Sequence, residues 1–208
     1  MNTQKRTPKA LQTEQNIRQV AQTLFAQKGY ENTTTREISE CAEVAEGTVF
    51  KYFPTKLDIL SAVMHDFFVR LQATTEAAVN SEADAYQQLR AFARVYLRVA
   101  AEEWHLARII VQYGRYGHDE AFMTQFAKYN REYVAILTRI LETLRKTGRI
   151  RASTPLSLIR EMFFGSVEHF AMRHFPDKRP YDLDVYCDHL LDLLAFGFST
   201  GVQSSSEN

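Results

Sequence analysis

Residues 34–53 have the sequence TTREISECAEVAEGTVFKYF, and this segment decides the fold. Thr34 and Glu37 have the spacing of a capping box, in which each side chain accepts a hydrogen bond from a free amide at a helix start. Pro54 follows the segment directly and ends any helix that reaches it. The segment therefore predicts two helices of about eight residues each, joined by a tight turn.

A longer helix precedes this segment. Gly29 is placed to end that helix, and the four residues from Thr55 to Asp58 repeat the capping pattern for a fourth helix after the segment. The apolar residues of the first helix recur at i, i+3, i+4, i+7 and i+8, which is the pattern of one buried face: Ile17, Val20, Ala21, Leu24 and Phe25. A support helix followed by two short helices is typical of a helix-turn-helix, whose second helix enters a major groove about 12 Å wide.

Beyond residue 60 the apolar residues keep helical spacing, and no stretch has the alternation typical of a strand. The predicted fold is all-α, with an N-terminal three-helix DNA-binding domain, a larger helical ligand-binding and dimerisation domain, and about nine helices in total. Gly114 and Gly117 are interpreted as a break between the sixth and seventh helices. The predicted boundaries are a flexible basic arm over 1–11, a DNA-binding domain over 12–56, an effector-binding and dimerisation domain over 57–202, and a disordered tail over 203–208.

Composition places few limits on the partner. Lys and Arg together number 25, as do Asp and Glu, so the balance of charge alone does not indicate nucleic acid. The first nine residues carry three basic groups and no acidic group, which suits contact with phosphate. Cys41 and Cys187 are predicted to be buried thiols in a reducing cytoplasm. No apolar run approaches the roughly 18 residues that a membrane span needs, so a cytoplasmic protein without a membrane partner is expected.

The second helix of the motif supplies the predicted base and phosphate contacts. Val49 and Phe53 are four residues apart and face the core, which directs the remaining side chains outwards. Hydroxyl and ammonium groups bond phosphates or base edges, glycine allows close approach, and an aromatic ring packs on sugar or a thymine methyl. The outward positions are Glu46, Gly47, Thr48, Phe50 and Lys51.

With these residues the sequence resembles the DNA-binding domain of the TetR family. The resemblance rests on LFAQKGY at 24–30, Thr33-Thr34, Glu37-Ile38 and EGTVFKYFPTK at 46–56. It implies nine helices, a homodimer built on the last two, and a ligand pocket within helices four to eight. It also implies repression of an operator, relieved when a small molecule binds. The DNA contacts carried over by the resemblance are Thr34, Thr35, Arg36, Thr48, Phe50, Lys51, Tyr52 and Lys56.

Three residues depart from the family pattern. Glu43 stands where the turn usually has glycine, and positive φ at a residue with a side chain costs about 1 kcal/mol. Ala45 replaces the usual serine at the start of the second motif helix, where an alanine cap gives up about 0.5–2 kcal/mol. Glu46 suits a helix N-terminus but repels phosphate, so it either points away or accepts from a cytosine amino group.

An aromatic stripe is the candidate ligand pocket, although such a stripe also suits an ordinary core. Its members are Phe92, Tyr96, Tyr113, Phe126, Tyr129, Tyr133 and Phe163. The aromatic, apolar character of the second domain favours a small hydrophobic effector, such as a lipid, a fatty-acyl compound or an aromatic drug. No metal or other cofactor is expected, because His169 and His174 do not share a helical face and the cysteines lack ligand spacing.

Two other classes of protein compete with a ligand-responsive repressor. An enzyme is not expected, since the sequence has no glycine-rich phosphate loop and no nucleophile elbow, and no catalytic residue is assigned. An architectural or activating DNA-binding protein without an effector remains the alternative. It predicts little sequence preference and no small molecule that releases DNA. The second domain of about 150 residues favours the regulator, because bending DNA does not require it.

Overall fold

The computed structural model describes residues 7–174 and 182–198, with the backbone alone at 195–198. The regular elements within these ranges are all α-helices, which confirms the predicted all-α fold. The helices are α1 (Pro8–Lys28), α2 (Thr35–Cys41), α3 (Glu46–Tyr52), α4 (Lys56–Asn80), α5 (Ala85–Glu102), α6 (Trp104–Tyr116), α7 (Glu120–Lys146), α8 (Leu156–His174) and α9 (Leu183–Phe198). None of the described helices is both long and apolar enough to cross a membrane.

The first helix starts earlier than predicted. The Thr7 hydroxyl accepts from the amide of Ala10 at 3.3 Å, and Pro8 occupies the first turn, where its missing N–H costs nothing. Residues 8–11, predicted as part of a flexible arm, are therefore helical, while residues 1–6 of that arm lie outside the described ranges. Gly29 ends α1 at φ +83°, and its amide donates to the carbonyl of Phe25, as predicted.

The helices pack as two compact units. The first unit holds α1 to α3, α4 as far as Val69, α6, and α7 as far as Asn130; the second holds the rest of α4 and α7 with α5, α8 and α9. This division differs from the predicted boundary between residues 56 and 57. We call α1 to α3 the head. The first part of α4 is tied to the head, since Arg18 of α1 pairs with Asp66 at 3.2 Å.

Gly114 does not break the chain, contrary to the sequence-based interpretation. It is buried within α6, and a Cβ placed on it would lie 2.2 Å from Cγ of Phe126 in α7. The glycine lets the two helices approach closely, so its role is in packing rather than in ending a helix. Gly117 does end α6, with its amide donating to the carbonyl of Tyr113 at 3.2 Å.

The cysteines differ in burial. Cys187 is buried in α9 as predicted, and burial raises the pKa of its thiol to about 11. Cys41 is exposed at the end of α2, so the prediction of a buried thiol there is wrong. The buried polar position in α2 is Ser39 instead, because its hydroxyl donates to the Arg36 carbonyl at 2.7 Å within the same helix and needs no outside partner.

Candidate DNA-binding site

The turn between α2 and α3 has the shape that a helix-turn-helix requires. Glu43 adopts φ +56°, the left-handed conformation that glycine usually provides, at a cost of about 1 kcal/mol. Around it the amide of Val44 donates to the carbonyl of Ser39 at 3.0 Å, and the side-chain amide of Asn16 in α1 donates to the carbonyl of Ala42 at 2.9 Å. The support helix therefore holds the turn in place despite the strained residue.

The start of α3 relies on α2 for its polar contacts. Ala45 is the N-cap and makes no side-chain capping bond, as the sequence predicts. The hydroxyl of Thr35 donates to the Glu46 carboxylate at 2.9 Å, so two side chains predicted to face DNA bind each other. The carboxylate also lies at the positive end of α3, which favours it there. Glu46 thus points towards α2, which is the first of the two orientations that the sequence left open.

The outer face of α3 is a continuous exposed surface. Val49 and Phe53 are buried as predicted, which fixes the rotation of the helix. Phe50 is 45% exposed, and its ring packs on no other ring in the described part of the chain. The exposed positions of α3 are Glu46, Gly47, Phe50 and Lys51, and the half-buried ones are Thr48 and Tyr52.

Gly47 provides a test of close approach to DNA. A Cβ added at this position meets no protein atom within 4 Å, so alanine should leave the fold intact or stabilise α3 slightly. If DNA backbone or a base approaches Gly47, the same methyl group should weaken DNA binding by about tenfold, within the range of one lost contact. Melting temperature and fluorescence anisotropy with a bound duplex would separate the two effects; unchanged affinity for DNA would contradict close approach at Gly47.

The start of α2 is capped on one side only. The Thr34 hydroxyl accepts from the amide of Glu37 at 3.1 Å, as predicted. The Glu37 carboxylate does not return to Thr34 but pairs with Lys28 of α1, and that hydrogen bond raises the pKa of Lys28. Arg36 is exposed and pairs with Glu40 one turn along at 2.9 Å; hydrogen bonding to Glu40 raises the pKa of the guanidinium. Thr34 and Arg36 remain at the surface, where a phosphate can reach them.

Lys56, a predicted phosphate contact, holds the loop between α1 and α2. Its ammonium donates to the carbonyl of Tyr30 at 2.8 Å and of Thr33 at 3.0 Å, with a weaker contact to Glu31 at 3.5 Å. It also lies 4.3 Å from the centroid of the Tyr30 ring, a cation–π distance. The donors of this group thus serve the loop between α1 and α2, and the phosphate contact stays a prediction.

Tyr113, predicted to line a pocket, joins α6 to the same loop. Its hydroxyl donates to the Glu31 carboxylate, and its ring meets that of Tyr30 at a centroid distance of 4.8 Å. Burial, then the bond to Glu31, raises the pKa of Tyr113, and burial raises that of Tyr30 to about 12, so both stay neutral at physiological pH. The sequence offers no sign of this pairing between residues 82 positions apart.

The other predicted pocket residues fall into two aromatic groups. In the first unit, Phe126 and Tyr129 both lie 5.9 Å from Phe68 by ring centroids. In the second unit, a cluster of rings surrounds Tyr133, with centroids 5.2 Å away for Phe92 and 5.9 Å for Tyr96. Phe163 and Phe164 of α8 complete this cluster. The stripe thus contains one set of rings in each unit.

One polar pair is buried in the second cluster. Thr75 and Tyr133 are 0% and 1% exposed, and the threonine hydroxyl donates to the tyrosine oxygen at 3.4 Å. Burial raises the pKa of Tyr133 above its ordinary value. The pair thus places two hydroxyl groups, joined by one long hydrogen bond, inside a cluster made mainly of aromatic rings.

The last two helices expose an apolar face. Leu158, Met162 and Met172 of α8 are about half exposed, and Leu193 of α9 is 73% exposed. Positions 158, 162 and 172 share one side of α8, and Gly165 lies on that side with open space where a Cβ would be. A row of exposed apolar side chains beside a glycine is a surface that a second helix can cover.

Polar pairs join α5 to the side of α9 that does not carry the exposed apolar side chains. Every fourth residue of α5 pairs with every fourth residue of α9 in antiparallel order, and the α5 residues are half-buried beneath α9. The pairs are Tyr86 with Asp192 at 3.4 Å, Arg90 with Asp188 at 2.6 Å, and Arg94 with Asp184 at 3.0 Å. This side of α9 is therefore occupied within the protomer, while Val185 and Leu193 remain exposed.

A support helix, a strained tight turn and a short helix with an exposed outer face define a helix-turn-helix protein that binds DNA. Comparison with known sequences identifies the family. Residues 17–63 match "Bacterial regulatory proteins, tetR family", and residues 64–197 match "YsiA-like protein, C-terminal region". The chain belongs to the TetR family of transcriptional regulators.

The relatives are regulators of transcription. The fatty acid metabolism regulator protein of Bacillus subtilis (strain 168) is 26% identical over 174 residues, which cover 84% of this chain and 89% of the relative. The transcriptional repressor KstR of Mycolicibacterium smegmatis is 38% identical over 61 residues, 29% of this chain and 30% of the relative. Among solved structures, FadR from Bacillus subtilis in complex with stearoyl-CoA has a TM-score of 0.78 at 24% identity, covering 88% of this chain and 98% of that one, which shows the same fold.

Proposed function

We propose that the protein is a homodimeric repressor that binds a near-palindromic operator and is released by a long-chain acyl-CoA. The observation that carries the proposal is the exposed outer face of α3, with Gly47, Phe50 and Lys51 at its centre. The named relatives include a repressor and a regulator of fatty acid metabolism, which supports repression over activation.

The exposed apolar face of α8 and α9 supports the homodimer. Burying Leu158, Met162 and Leu193 against a second copy would remove apolar surface from water, which stabilises association by about 25 cal/mol per Å². A two-fold dimer presents its two copies of α3 about 34–36 Å apart, one turn of DNA, and this spacing gives the operator its symmetry.

The effector class is proposed from the relative that binds stearoyl-CoA and from the second unit. The ring cluster around Tyr133 supplies apolar surroundings for an acyl chain. The effector predicted from the sequence, a small hydrophobic molecule, is thereby narrowed to a long-chain acyl-CoA. The buried hydroxyls of Thr75 and Tyr133 supply donors for the polar thioester end or for an ordered water.

Release requires the ligand to favour a conformation that fits DNA less well, and typical coupling free energies are about 1–3 kcal/mol. The head is held on α4 by the Arg18–Asp66 pair and on α6 by the Tyr113–Glu31 hydrogen bond. We infer that displacement of α4 or α6 moves the head through these contacts.

Selection of bound duplexes from random DNA, followed by fluorescence anisotropy with and without palmitoyl-CoA, tests the proposed function. Two inverted half-sites about one turn apart, and loss of binding when palmitoyl-CoA is added, are the expected results. Binding without sequence preference and without a response to palmitoyl-CoA would instead support the architectural alternative.

The Lys51→Ala variant should weaken binding to the selected operator by about tenfold, since losing one contact in a DNA site costs about 1–3 kcal/mol. Lys51 is exposed on α3, so the melting temperature and the dimer mass of the variant should match those of the wild type. Anisotropy, thermal unfolding and light scattering measure the three quantities. Wild-type affinity for the operator would argue against α3 as the helix that enters the groove.

A further inference from the structure

A groove of about 330 Å³ lies in the second unit, between the outer face of α7 and the start of α8. Its lining is Arg131, Val134, Ala135, Thr138, Arg139, Glu142 and Arg160. Three arginines and one acidic residue around a single groove favour an anionic ligand, because guanidinium groups bind phosphate and carboxylate oxygens in pairs.

The three arginines differ in the hydrogen bonds and ion pairs that their guanidinium groups already make within the protein. Within the described ranges, Arg131 has no hydrogen-bond or ion-pair partner, although it is exposed beside the groove. Arg160 is half-buried and donates to the hydroxyl of Thr138 at 3.2 Å, with no carboxylate partner in the described part of the chain. Arg139 pairs with Glu76 at 2.8 Å, so its charge is compensated. Arg131 and Arg160 therefore supply positive charge that an incoming anion can neutralise.

The groove also has an apolar strip. Val134 and Ala135 lie between Arg131 and Thr138 along the same side of α7. From Arg131 to Glu142 the helix rises about 16 Å, the length of eleven residues at 1.5 Å each. An extended molecule with a flat ring and separated phosphates matches this surface, and the nucleotide end of coenzyme A, with its adenine ring, its diphosphate and its 3′-phosphate, has that composition.

Helix α8 contributes a residue both to the groove and to the ring cluster of the second unit. Phe164 lies one turn beyond Arg160 in α8, so the two side chains share one side of the helix. The Phe164 ring contacts Tyr96 at a centroid distance of 5.1 Å and Phe92 at 6.3 Å. A molecule that spans both sites would run along α8, with its charged end at Arg160 and its apolar end among the rings.

We propose that this groove is the binding site for the phosphate-bearing nucleotide end of the acyl-CoA effector, with Arg131 and Arg160 as the binding residues and Glu142 as an opposing charge. This inference rests on the proposed function, since it assigns the polar end of the same ligand. It predicts that the protein distinguishes an acyl-CoA from the free fatty acid.

Binding of palmitoyl-CoA, coenzyme A and palmitate to the full-length protein, measured by calorimetry, tests the site. The double variant R131Q/R160Q should bind palmitoyl-CoA and coenzyme A more weakly by about tenfold or more, because charge-assisted hydrogen bonds are lost. The variant E142Q should bind both more tightly by about threefold, the effect of one exposed charge. Binding of palmitate should not change in either variant. R145Q, which alters an exposed arginine of α7 outside the groove, is the matched control.

Other outcomes separate the inference from the proposed function. If palmitoyl-CoA binds the wild type and releases DNA, but R131Q/R160Q and E142Q behave like R145Q, the groove assignment is wrong and the repressor proposal stands. If palmitate releases DNA as well as palmitoyl-CoA does, the nucleotide end contributes nothing and the assignment again fails. If neither compound binds the wild type, the acyl-CoA effector and the groove site are both wrong. The selection of bound duplexes then still tests whether the protein binds a specific operator. Wild-type melting temperatures in all variants would exclude loss of folding as the cause.

Discussion

Replacing Gly114 with alanine is expected to lower the free energy of unfolding by about 2 kcal/mol, although alanine is the better helix former. The added Cβ would lie 2.2 Å from Cγ of Phe126 and 2.4 Å from Cδ2, far inside van der Waals contact. Phe126 is only 5% exposed, and its ring packs on Phe68, so it cannot turn aside freely. Overpacking costs up to about 3 kcal/mol and the gain in helix propensity returns about 1 kcal/mol. Urea unfolding of the variant and the wild type measures the difference.

The double variant Gly114→Ala/Phe126→Ala is the control for this explanation. Without the ring, the methyl group has room, so Gly114→Ala should be neutral or stabilising when it is measured against Phe126→Ala alone. An equal loss of stability in both backgrounds would show that contact with Phe126 is not the cause. It would return Gly114 to a backbone role.

The features of the head that could be predicted from the sequence are those that neighbouring residues decide. Gly29 ends α1, and the Thr55 and Asp58 side chains cap α4 reciprocally, each within three or four residues of its partner. Val49 and Phe53 fix the outer face of α3 for the same reason, since i and i+4 always share a side of a helix. The positive φ at Glu43 also follows from the tight turn itself. Helix-turn-helix geometry is therefore visible in the chain before any tertiary contact is known.

What could not be predicted depends on partners distant in sequence. The sequence predicts a helix break at Gly114 because the neighbour of this glycine in α7 is unknown until the helices pack. The aromatic stripe has helical spacing in both units, and spacing alone does not say which side chains meet; the hydrogen bond from Tyr113 to Glu31 is one such contact. The arginine groove was missed for the same reason, because Arg131 and Arg160 come from different helices and are 29 positions apart in the sequence.

Lys56 has two candidate roles, as a phosphate contact and as a support of the loop before α2. The Lys56→Ala variant is expected to lower the free energy of unfolding by about 2–3 kcal/mol. The variant removes the ammonium bonds to the carbonyls of Tyr30 and Thr33, and hydrogen bonds from a charged group contribute about 1.5–3 kcal/mol each, less at a partly exposed site. DNA affinity should also fall, because the loop that Lys56 holds leads directly into α2. The dependence of binding on salt should stay at the wild-type slope, since no phosphate contact is lost.

Lys51→Ala is the matched variant, an exposed lysine on the outer face of α3. A lysine that contacts phosphate gives the opposite pattern: an unchanged melting temperature and a plot of log affinity against log salt whose slope is smaller by about 1. Thermal unfolding and anisotropy over a series of salt concentrations place each lysine in one pattern or the other. A wild-type melting temperature with a reduced slope for Lys56→Ala would restore the phosphate anchor and would mean that Lys56 leaves the loop carbonyls when DNA binds. The expected result means that Lys56 stays bound to the loop carbonyls and affects DNA binding only by setting the position of α2.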